Sequence, residues 1–444
     1  MRQICLYRYR YVSCIAGLVF VTTTAFAQKD PGPRGGTPAA GGPFSALQSD
    51  SNLMAMFQTG SDQFTQVEAV ADGLGPRFNS NSCSSCHAQP AVGGSSPAVN
   101  PQVQFANANN PLPPFITANG PVREVRFIRK PDGTPDGGVH NLFTIMGHSD
   151  VPSGCVLAPV DFSNASNIIF RIPTPVFGLG LIEAIPDHVL VQNVANSASQ
   201  SLGIQGSLNR NGNDGTVTRL GWKAQNKSLL LFAGEAYNVE MGVTNLIFNT
   251  ERDETPNCSP TPPPNNLFNI GGFTDSAVFD DINDFANFMR FLAPPARGPI
   301  DSTVTLGSQQ FVAIGCANCH TTTFTTGASP FAPLANQQIH PYSDFALHHM
   351  GPLLADHISQ GFAGGDQFRT APLWGLGQRL FFLHDGRTSD LFEAILDHRS
   401  AEFKPNPLLT RLFGQPSEAN AVIDNFTELS ASDQQAILNF LRSL

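Results

Sequence analysis

Two stretches of the sequence repeat the pattern Cys-x-x-Cys-His, namely FNSNSCSSCHAQP at 78–90 and IGCANCHTTTF at 314–324. Two thiols at this spacing lie on one helical turn and can bond to the two vinyl groups of a haem, so that the adjacent histidine can bind the iron. A redox dithiol has no need of that histidine, and structural zinc wants four ligands close together. The pattern therefore predicts two covalently bound haem c groups. Their attachment residues are Cys83, Cys86 and His87 for the first haem, and Cys316, Cys319 and His320 for the second.

The first 27 residues have the layout of a signal peptide, with three arginines, an apolar run at 12–21 and an Ala-Phe-Ala end. Cleavage near Ala27 is expected to release the protein into the periplasm. No later segment looks transmembrane, so no stable membrane insertion is expected after cleavage. Loss of the signal changes the formal net charge from −10 to −13. Such an acidic chain lacks the electrostatic footprint of a nucleic-acid-binding protein.

Two cysteines of the exported part lie outside the haem motifs. Cys155 and Cys258 both sit in loops rich in Pro and Gly. In an oxidising compartment such a leftover pair is expected to form a disulfide, although the sequence by itself does not show that the two residues meet.

The elements that must position these motifs divide the 444-residue chain into several parts. Residues 28–45 are rich in Gly and Pro and predict a flexible leader. An N-terminal haem c domain is expected over 46–300, with a long irregular insertion that contains short β elements. A C-terminal cytochrome c domain is expected over 301–444. The predicted fold class is therefore mainly α, with two cytochrome c-like haem domains.

Apolar periodicity predicts helices at three further places. Apolar residues recur at helical spacing within 279–295, and prolines end that stretch. Residues 303–320 look like the amphipathic first helix of a cytochrome c domain leading into its haem motif. The chain closes with the helical pattern SASDQQAILNFLRSL.

The second axial ligand of each iron decides whether a haem only passes electrons or can also bind a small oxidant. For the second haem, Asp390 begins a predicted helix whose apolar face includes His398, which makes His398 the favoured ligand. The rival source is the segment LHHMG at 347–351. His384 lies in a His-Asp-Gly turn, where Arg387 could pair with a haem propionate.

For the first haem, no histidine follows His87 until His140. This gap predicts an open distal side, unless one of the later side chains folds back onto the iron. The candidates for such a ligand are His140, Met146, His148 and His188. Glu183 lies in an apolar, Gly-rich stretch and is a candidate acid/base, or else a paired structural carboxylate. Trp222 and Trp374 could relay electrons between the haems or simply pack in the core.

Several stretches together resemble the di-haem cytochrome c peroxidase superfamily, and most of all its branch of di-haem oxidoreductases, sometimes labelled thiol oxidoreductases. They are CSSCH, FGLGLIEAIP, GWKAQ, CANCH, YSDFALHHMG, RTAPLWGLG and FLHDGRTSDLFEAI. The resemblance implies a periplasmic, mostly α-helical protein with two haem-c domains. It implies a high-spin N-terminal haem where peroxide or oxygen reacts, and a six-coordinate C-terminal haem that receives electrons. A small donor protein of the cytochrome c or cupredoxin type would supply them, and a calcium ion is a further cofactor that the resemblance allows.

The chain departs from the peroxidases at two points. Their C-terminal haem has a methionine as its sixth ligand, whereas the corresponding place here is occupied by His398, which resembles the bis-histidine haem of rubber oxygenases. The peroxidases also carry a distal histidine shortly after the first haem motif, and this chain has none. The expected function is a di-haem oxidoreductase that reduces hydrogen peroxide. The alternatives are a pure electron carrier and a haem-dependent oxygenase or protein-oxidising enzyme.

Overall fold

The computed structural model describes residues 28–35, 40–105, 112–135, 145–146, 150–195, 202–250, 255–258, 262–266, 281–400 and 415–444. The predicted signal peptide, His140 and His148 lie outside these ranges. Residues 145–146 are described by their backbone only, so the predicted role of the Met146 side chain is not addressed.

Helices form most of the regular structure of the described chain, as predicted. They are α1 (Ser51–Thr65), α2 (Cys83–Cys86), α3 (Gln102–Phe105), α4 (Leu179–Glu183), α5 (Asp187–Ala195), α6 (Leu229–Met241), α7 (Asp281–Phe291), α8 (Ser302–Ala313), α9 (Leu391–Leu396), α10 (Asn420–Glu428) and α11 (Ala431–Ser443). Short 3-10 turns complete the set, including one at Cys316–Asn318.

The strands are short and pair two by two in antiparallel fashion. The pairs are β1 (Arg77–Phe78) with β3 (Ile145–Met146), β2 (Glu124–Phe127) with β4 (Ile168–Arg171), β5 (Phe324–Thr325) with β6 (Gln338–Ile339), and β7 (Leu347–His349) with β8 (Gln367–Arg369). The short β elements predicted for the middle section are therefore present, and similar pairs occur after residue 301.

The helices predicted within 279–295, within 303–320 and at the end of the chain are confirmed as α7, α8 and α11. Helix α7 buries the apolar face read from the sequence and ends before two consecutive prolines. Asp301 caps α8 by accepting a hydrogen bond from the backbone N–H of Val304 at 2.8 Å. Ser430 caps α11 in the same way.

Each haem motif follows a helix that crosses a second helix at a glycine. In α1 a Cβ on Gly60 would lie 2.3 Å from the carbonyl oxygen of Asp284 in α7, and in α8 a Cβ on Gly307 would lie 1.9 Å from that of Ala436 in α11. The two glycines begin matching pentapeptides, GSDQF at 60–64 and GSQQF at 307–311. Only a residue without a side chain permits such close crossings.

Two hydrophobic cores surround these helix pairs. The first is formed by residues between Leu47 and Leu292 together with five later ones, from Phe324 to Trp374, and the second by residues between Val304 and Leu444. The division at residue 300 is not sharp, because Phe324 and Phe345 belong to the first core. Within the described ranges, no helix combines the length and apolar character needed to cross a membrane.

The predicted disulfide between Cys155 and Cys258 is confirmed. It links two loops of the middle section that lie 103 residues apart in the chain.

Candidate haem sites

Each Cys-x-x-Cys-His motif lines its own large cavity. The N-terminal cavity is bordered by Cys83, Cys86 and His87 and contains about 1140 Å³ of space not filled by protein atoms, its open mouth included. The C-terminal cavity is bordered by Cys316, Cys319 and His320 and contains about 1370 Å³ on the same measure. Within each motif the two thiols are free, so no disulfide competes with thioether formation.

The histidine of each motif is held in the orientation that an iron ligand requires. His87 Nδ1 lies 3.0 Å from the carbonyl oxygen of Gly94, and His320 Nδ1 lies 2.8 Å from that of Tyr342. A carbonyl oxygen can only accept, so Nδ1 carries the proton and Nε2 keeps its lone pair. Burial lowers the pKa of both rings to about 4, which keeps them neutral at pH 7. Backbone support of this kind is usual for metal-binding histidines.

An aromatic ring supports each of these histidines from the preceding helix. Phe64 of α1 lies 6.0 Å from the His87 ring, and Phe311 of α8 lies 6.1 Å from the His320 ring, measured between centroids. Both phenylalanines end the repeated pentapeptide that begins at the crossing glycine. The repeat therefore links the helix crossing to the candidate iron ligand in both halves. The pentapeptides can be found in the sequence, but only the structure shows that the glycine lies at a helix crossing and the phenylalanine against the histidine.

His398 borders the C-terminal cavity, as does His320. Its Nδ1 donates to the carbonyl oxygen of Ala394 at 2.7 Å, so it presents the same tautomer as the two motif histidines. Burial lowers the pKa of His398. A correction concerns its position, because α9 ends at Leu396 and His398 lies in the turn that follows. The predicted start of α9 is confirmed, since the Asp390 side chain accepts hydrogen bonds from Phe392 and Glu393.

In the rival segment at 347–351, both histidines are hydrogen-bonded to carboxylates. His348 is buried with both ring nitrogens bound, Nε2 to Asp344 and Nδ1 to Glu418, each at 2.9 Å. Burial opposes a charge on this ring, but its contacts with Cys319 and Asp344 outweigh burial and raise the pKa of His348 well above its usual value. His349 pairs with Asp366 at 2.8 Å.

Two other side chains of the C-terminal cavity remain rivals for the iron. Met350 borders the cavity. His384 also borders it, with its ring stacked on Phe368 at 4.3 Å between centroids, and burial lowers its pKa to about 4.

Two buried arginines give the C-terminal cavity a cradle for anionic groups. Arg369 and Arg379 border the cavity, and burial lowers the pKa of each guanidinium to about 10, with no carboxylate opposing the shift. One terminal nitrogen of Arg369 has no hydrogen-bond partner among the described residues. A haem carries two propionates that would satisfy such donors. The residues present therefore fit the group.

Arg387 does not take part in this cradle. It pairs with Asp385 at 2.8 Å and donates to the carbonyl oxygen of Leu353. Arg369 and Arg379 border the cavity and are therefore better placed for a propionate than Arg387, the residue suggested from the sequence.

The N-terminal cavity has no second histidine among its described lining residues. It carries a polar cluster instead, formed by Arg126 with Glu124, Glu235 and Glu240. Burial works against the charge of Arg126, but these three carboxylates outweigh it and raise the pKa of the guanidinium. Arg126 contacts Glu124 at 2.6 Å. His188, one of the predicted fold-back ligands, is exposed on α5 instead.

The carboxylates of this cluster are held by amides. Glu240 accepts from Asn79 at 2.7 Å, and Glu235 accepts from Asn226. No local pattern in the sequence marks this cluster, because Arg126 lies on β2 whereas Glu235 and Glu240 lie on α6, more than one hundred residues later in the chain.

Glu183 does not border either cavity. Its carboxylate accepts a hydrogen bond from the backbone N–H of Leu229 at 2.8 Å, at the start of α6, and lies 3.4 Å from Arg290. Of the two roles considered from the sequence, the structure favours the paired structural carboxylate.

The two tryptophans have different surroundings. Trp222 borders both cavities and donates from Nε1 to the carbonyl oxygen of Ile172 at 2.9 Å. Trp374 lies in the first hydrophobic core, against Gly178. Only Trp222 is therefore placed to connect the two sites.

The described residues contain no group of three or more His, Cys, Asp or Glu side chains that could hold a metal ion. The calcium ion that the resemblance allows therefore has no site of this kind in that part of the chain.

Next to Trp222, the buried ammonium of Lys223 contacts Asp356 and the carbonyl oxygen of Gly364, each at 2.9 Å.

Comparison with known families covers the second of these two sites. The family model described as "Di-haem oxidoreductase, putative peroxidase" matches residues 153–444. The chain belongs to the di-haem oxidoreductase family. The matched region includes the C-terminal cavity motif, His398 and the carboxylates of α6, whereas the first Cys-x-x-Cys-His motif precedes it. No curated protein sequence matches the chain.

Two solved structures show distant likeness. Hydrazine synthase of Kuenenia stuttgartiensis, solved under xenon pressure, has 13% identity and a TM-score of 0.37, with 99% of this chain and 100% of that chain covered. A MauG-like protein associated with microbial copper homeostasis has 14% identity and a TM-score of 0.30, with 67% and 95% covered. Likeness at this level does not bear on activity.

Proposed function

We propose that the protein is an exported di-haem peroxidase of the periplasm. Cys83, Cys86 and His87 would hold one haem c, and Cys316, Cys319, His320 and His398 would hold the other. Haem c would supply a redox-active iron whose chemistry includes the reduction of a small oxidant such as hydrogen peroxide. The overall reaction takes one hydrogen peroxide, two electrons and two protons to two water molecules.

One observation carries the proposal, namely the asymmetry of the two cavities. The C-terminal cavity places a second neutral histidine, His398, beside His320, which suits a site that only transfers electrons. The described lining of the N-terminal cavity has no second histidine and carries carboxylates and Arg126. Polar groups of this kind serve proton transfer to a bound substrate and not iron ligation.

Glu235 and Glu240 are the side chains we assign to proton transfer. Both lie on α6 and border the N-terminal cavity. Asn226 and Asn79 fix their orientation, and the charge of Arg126 compensates part of the negative charge in this buried place. A positioned carboxylate can both give and take a proton, and this is what reduction of a peroxide bond requires.

Trp222 is the side chain by which electrons would pass between the sites, because its indole borders both cavities. The donor we propose is a small protein of the cytochrome c or cupredoxin type, which would deliver electrons at the C-terminal site. The acidic net charge of −13 expected for the exported chain favours a donor with a basic contact surface.

Electron paramagnetic resonance of the purified ferric protein is the first test. A peroxidase of this design shows one high-spin and one low-spin haem, and it consumes peroxide when a reduced donor is present. Two low-spin signals in the resting and half-reduced protein, with no peroxide turnover, would refute the proposal.

A second candidate function is that of a pure electron carrier. The observation that favours it is the presence of Met241 and Met289 in the lining of the N-terminal cavity, since methionine is a common axial ligand in electron-transfer haems. The same spectra separate the two functions, because a methionine ligand would make the N-terminal haem low-spin.

Substitution of the assigned carboxylates tests their role in turnover. We expect Glu235→Gln and Glu240→Gln to lower kcat for peroxide by roughly 10²- to 10⁴-fold, the usual contribution of a positioned acid/base. Their haem absorbance should remain that of the parent. Glu183→Gln is the matched control, since it changes a nearby carboxylate that borders neither cavity. If all three variants had the kcat of the parent protein, Glu235 and Glu240 would have no role in proton transfer.

A further inference from the structure

Residues 28–35 are tied to the C-terminal half of the molecule, although their composition predicts a flexible leader. The Asp30 side chain accepts from Arg442 Nε at 2.7 Å and also from its terminal NH2 nitrogen. Both side chains are nearly enclosed, with 8% of Asp30 and 3% of Arg442 exposed. The backbone of Lys29 exchanges two hydrogen bonds with the Gln435 side chain, and Arg34 donates from its backbone to Gly377 at 2.7 Å.

The groups held by this segment belong to the wall of the C-terminal cavity. Asp30 accepts a hydrogen bond from the backbone N–H of Leu391 at 2.8 Å, and Leu391 borders the cavity. Arg442 also donates to the carbonyl oxygen of Arg379 at 2.9 Å, and Arg379 is one of the two arginines of the anionic cradle. The segment therefore binds residues of the cavity wall without bordering the cavity itself.

Leu391 is the first residue of α9, the helix that precedes His398. Asp390 accepts from the next two backbone N–H groups, those of Phe392 and Glu393. The N–H of Leu391 is left for Asp30, which lies 361 residues away in the chain. The first three backbone N–H groups of α9 thus donate to two carboxylates. Asp390 is adjacent to the helix in the chain, whereas Asp30 is remote. Beyond these caps, α9 is held by its apolar side chains, since Leu391 and Ala394 are buried in the second hydrophobic core.

We propose that residues 28–35 form a strap that fixes the wall of the C-terminal cavity, and that Asp30 is a positioning residue for His398. This inference rests on the proposed function in one respect, the binding of His398 to the second haem. Asp30 acts through α9 and does not itself reach the cavity.

The test compares Asp30→Asn with Lys29→Ala in the full chain. Asparagine keeps the shape of the side chain but removes the charge paired with Arg442. Lys29→Ala changes the adjacent residue, whose contacts in the strap are made by its backbone and survive the substitution. Two quantities are measured in each variant: amide hydrogen exchange across 391–398, and the low-spin signal and midpoint potential of the second haem.

In Asp30→Asn we expect amide exchange at Leu391 and along α9 to accelerate by roughly tenfold, the change that follows loss of one buried charged hydrogen bond. The low-spin signal of the second haem should weaken or shift, whereas α1 exchange and the Lys29→Ala protein should match the parent. Asp30→Glu keeps the charge and should restore part of the signal. Unchanged exchange along α9, or accelerated exchange with an unaltered spectrum and potential, would overturn the positioning role.

His398→Gly, measured alongside, separates this inference from the proposed function. If that variant leaves the second haem low-spin, the ligand assignment is wrong and the positioning role falls with it. If it becomes high-spin while Asp30→Asn behaves like the parent, the ligand is correct and only the strap is refuted.

Discussion

The crossing of α8 and α11 gives the sharpest prediction about how the chain builds its second site. A Cβ on Gly307 would lie 1.9 Å from the carbonyl oxygen of Ala436 and 2.8 Å from Cβ of Phe440. The helices must separate by about 1.5 Å before the first contact reaches the 3.4 Å of ordinary packing. The atom in the way belongs to the backbone of a buried helix, so no side-chain rotation relieves the clash.

The size of the effect follows from two opposing contributions. Overpacking a core typically costs 1–3 kcal/mol, and a backbone clash belongs at about the upper end of that range. Replacing glycine by alanine within a helix returns about 1 kcal/mol. We therefore expect Gly307→Ala to lower the free energy of unfolding of the C-terminal core by about 2 kcal/mol. Phe311 follows one turn later, so the separation should also loosen its contact with the His320 ring.

Urea unfolding followed by circular dichroism and by the absorbance of the second haem measures both effects. Gly212→Ala is the control, because a Cβ there has no atom within 4 Å and its φ is not positive. Gly60→Ala should produce the same loss in the first core, where the carbonyl oxygen of Asp284 is 2.3 Å away. If Gly307→Ala unfolds at the same urea concentration as the parent with an unchanged second haem, the helix crossing does not set the site as argued.

Three further predictions concern separate parts of the molecule. His398→Gly should convert the second haem from low to high spin in an electron paramagnetic resonance spectrum; an unchanged spectrum would transfer the ligand role to Met350 or His384. Burial, with the nearby Asp281 carboxylate, raises the pKa of Glu68 to about 7, so folding favours the protonated form of this side chain. The free energy of unfolding should therefore fall as the pH rises from about 4.5 through 7. After allowance for solvent screening, the expected loss is about 2 kcal/mol. Glu68→Gln should flatten that slope in urea titrations at several pH values, and an identical slope would contradict the assignment. Cys155→Ser should lower stability by roughly 2–5 kcal/mol, since the lost disulfide closes a loop of 103 residues; equal midpoints under oxidising conditions would show that the disulfide contributes nothing.

The sequence determined the features that depend on neighbouring residues. The two Cys-x-x-Cys-His motifs place their sulfurs and imidazole within one turn of chain, so their chemistry can be read without a fold. The helices α7, α8 and α11 were predictable for a similar reason, because capping and apolar periodicity act over a few residues.

The tertiary structure decided which distant side chains reach each site. His348 and His398 are alike as residues, yet His348 is bound on both nitrogens by Asp344 and Glu418, and only the fold brings the second of these near. Trp222 and Trp374 are likewise the same type of residue, and only the fold places Trp222 beside both cavities and Trp374 in the first hydrophobic core.

The leader shows the same limit most plainly. Composition alone predicts that residues 28–45 are flexible, since such a chain buries little apolar surface of its own. Asp30 is held by Arg442, 412 residues away, and an ion pair across that distance leaves no pattern in either local sequence. Local spacing thus set the cofactor chemistry, whereas contacts between remote segments set its surroundings, because charge and packing depend on distance in space and not along the chain.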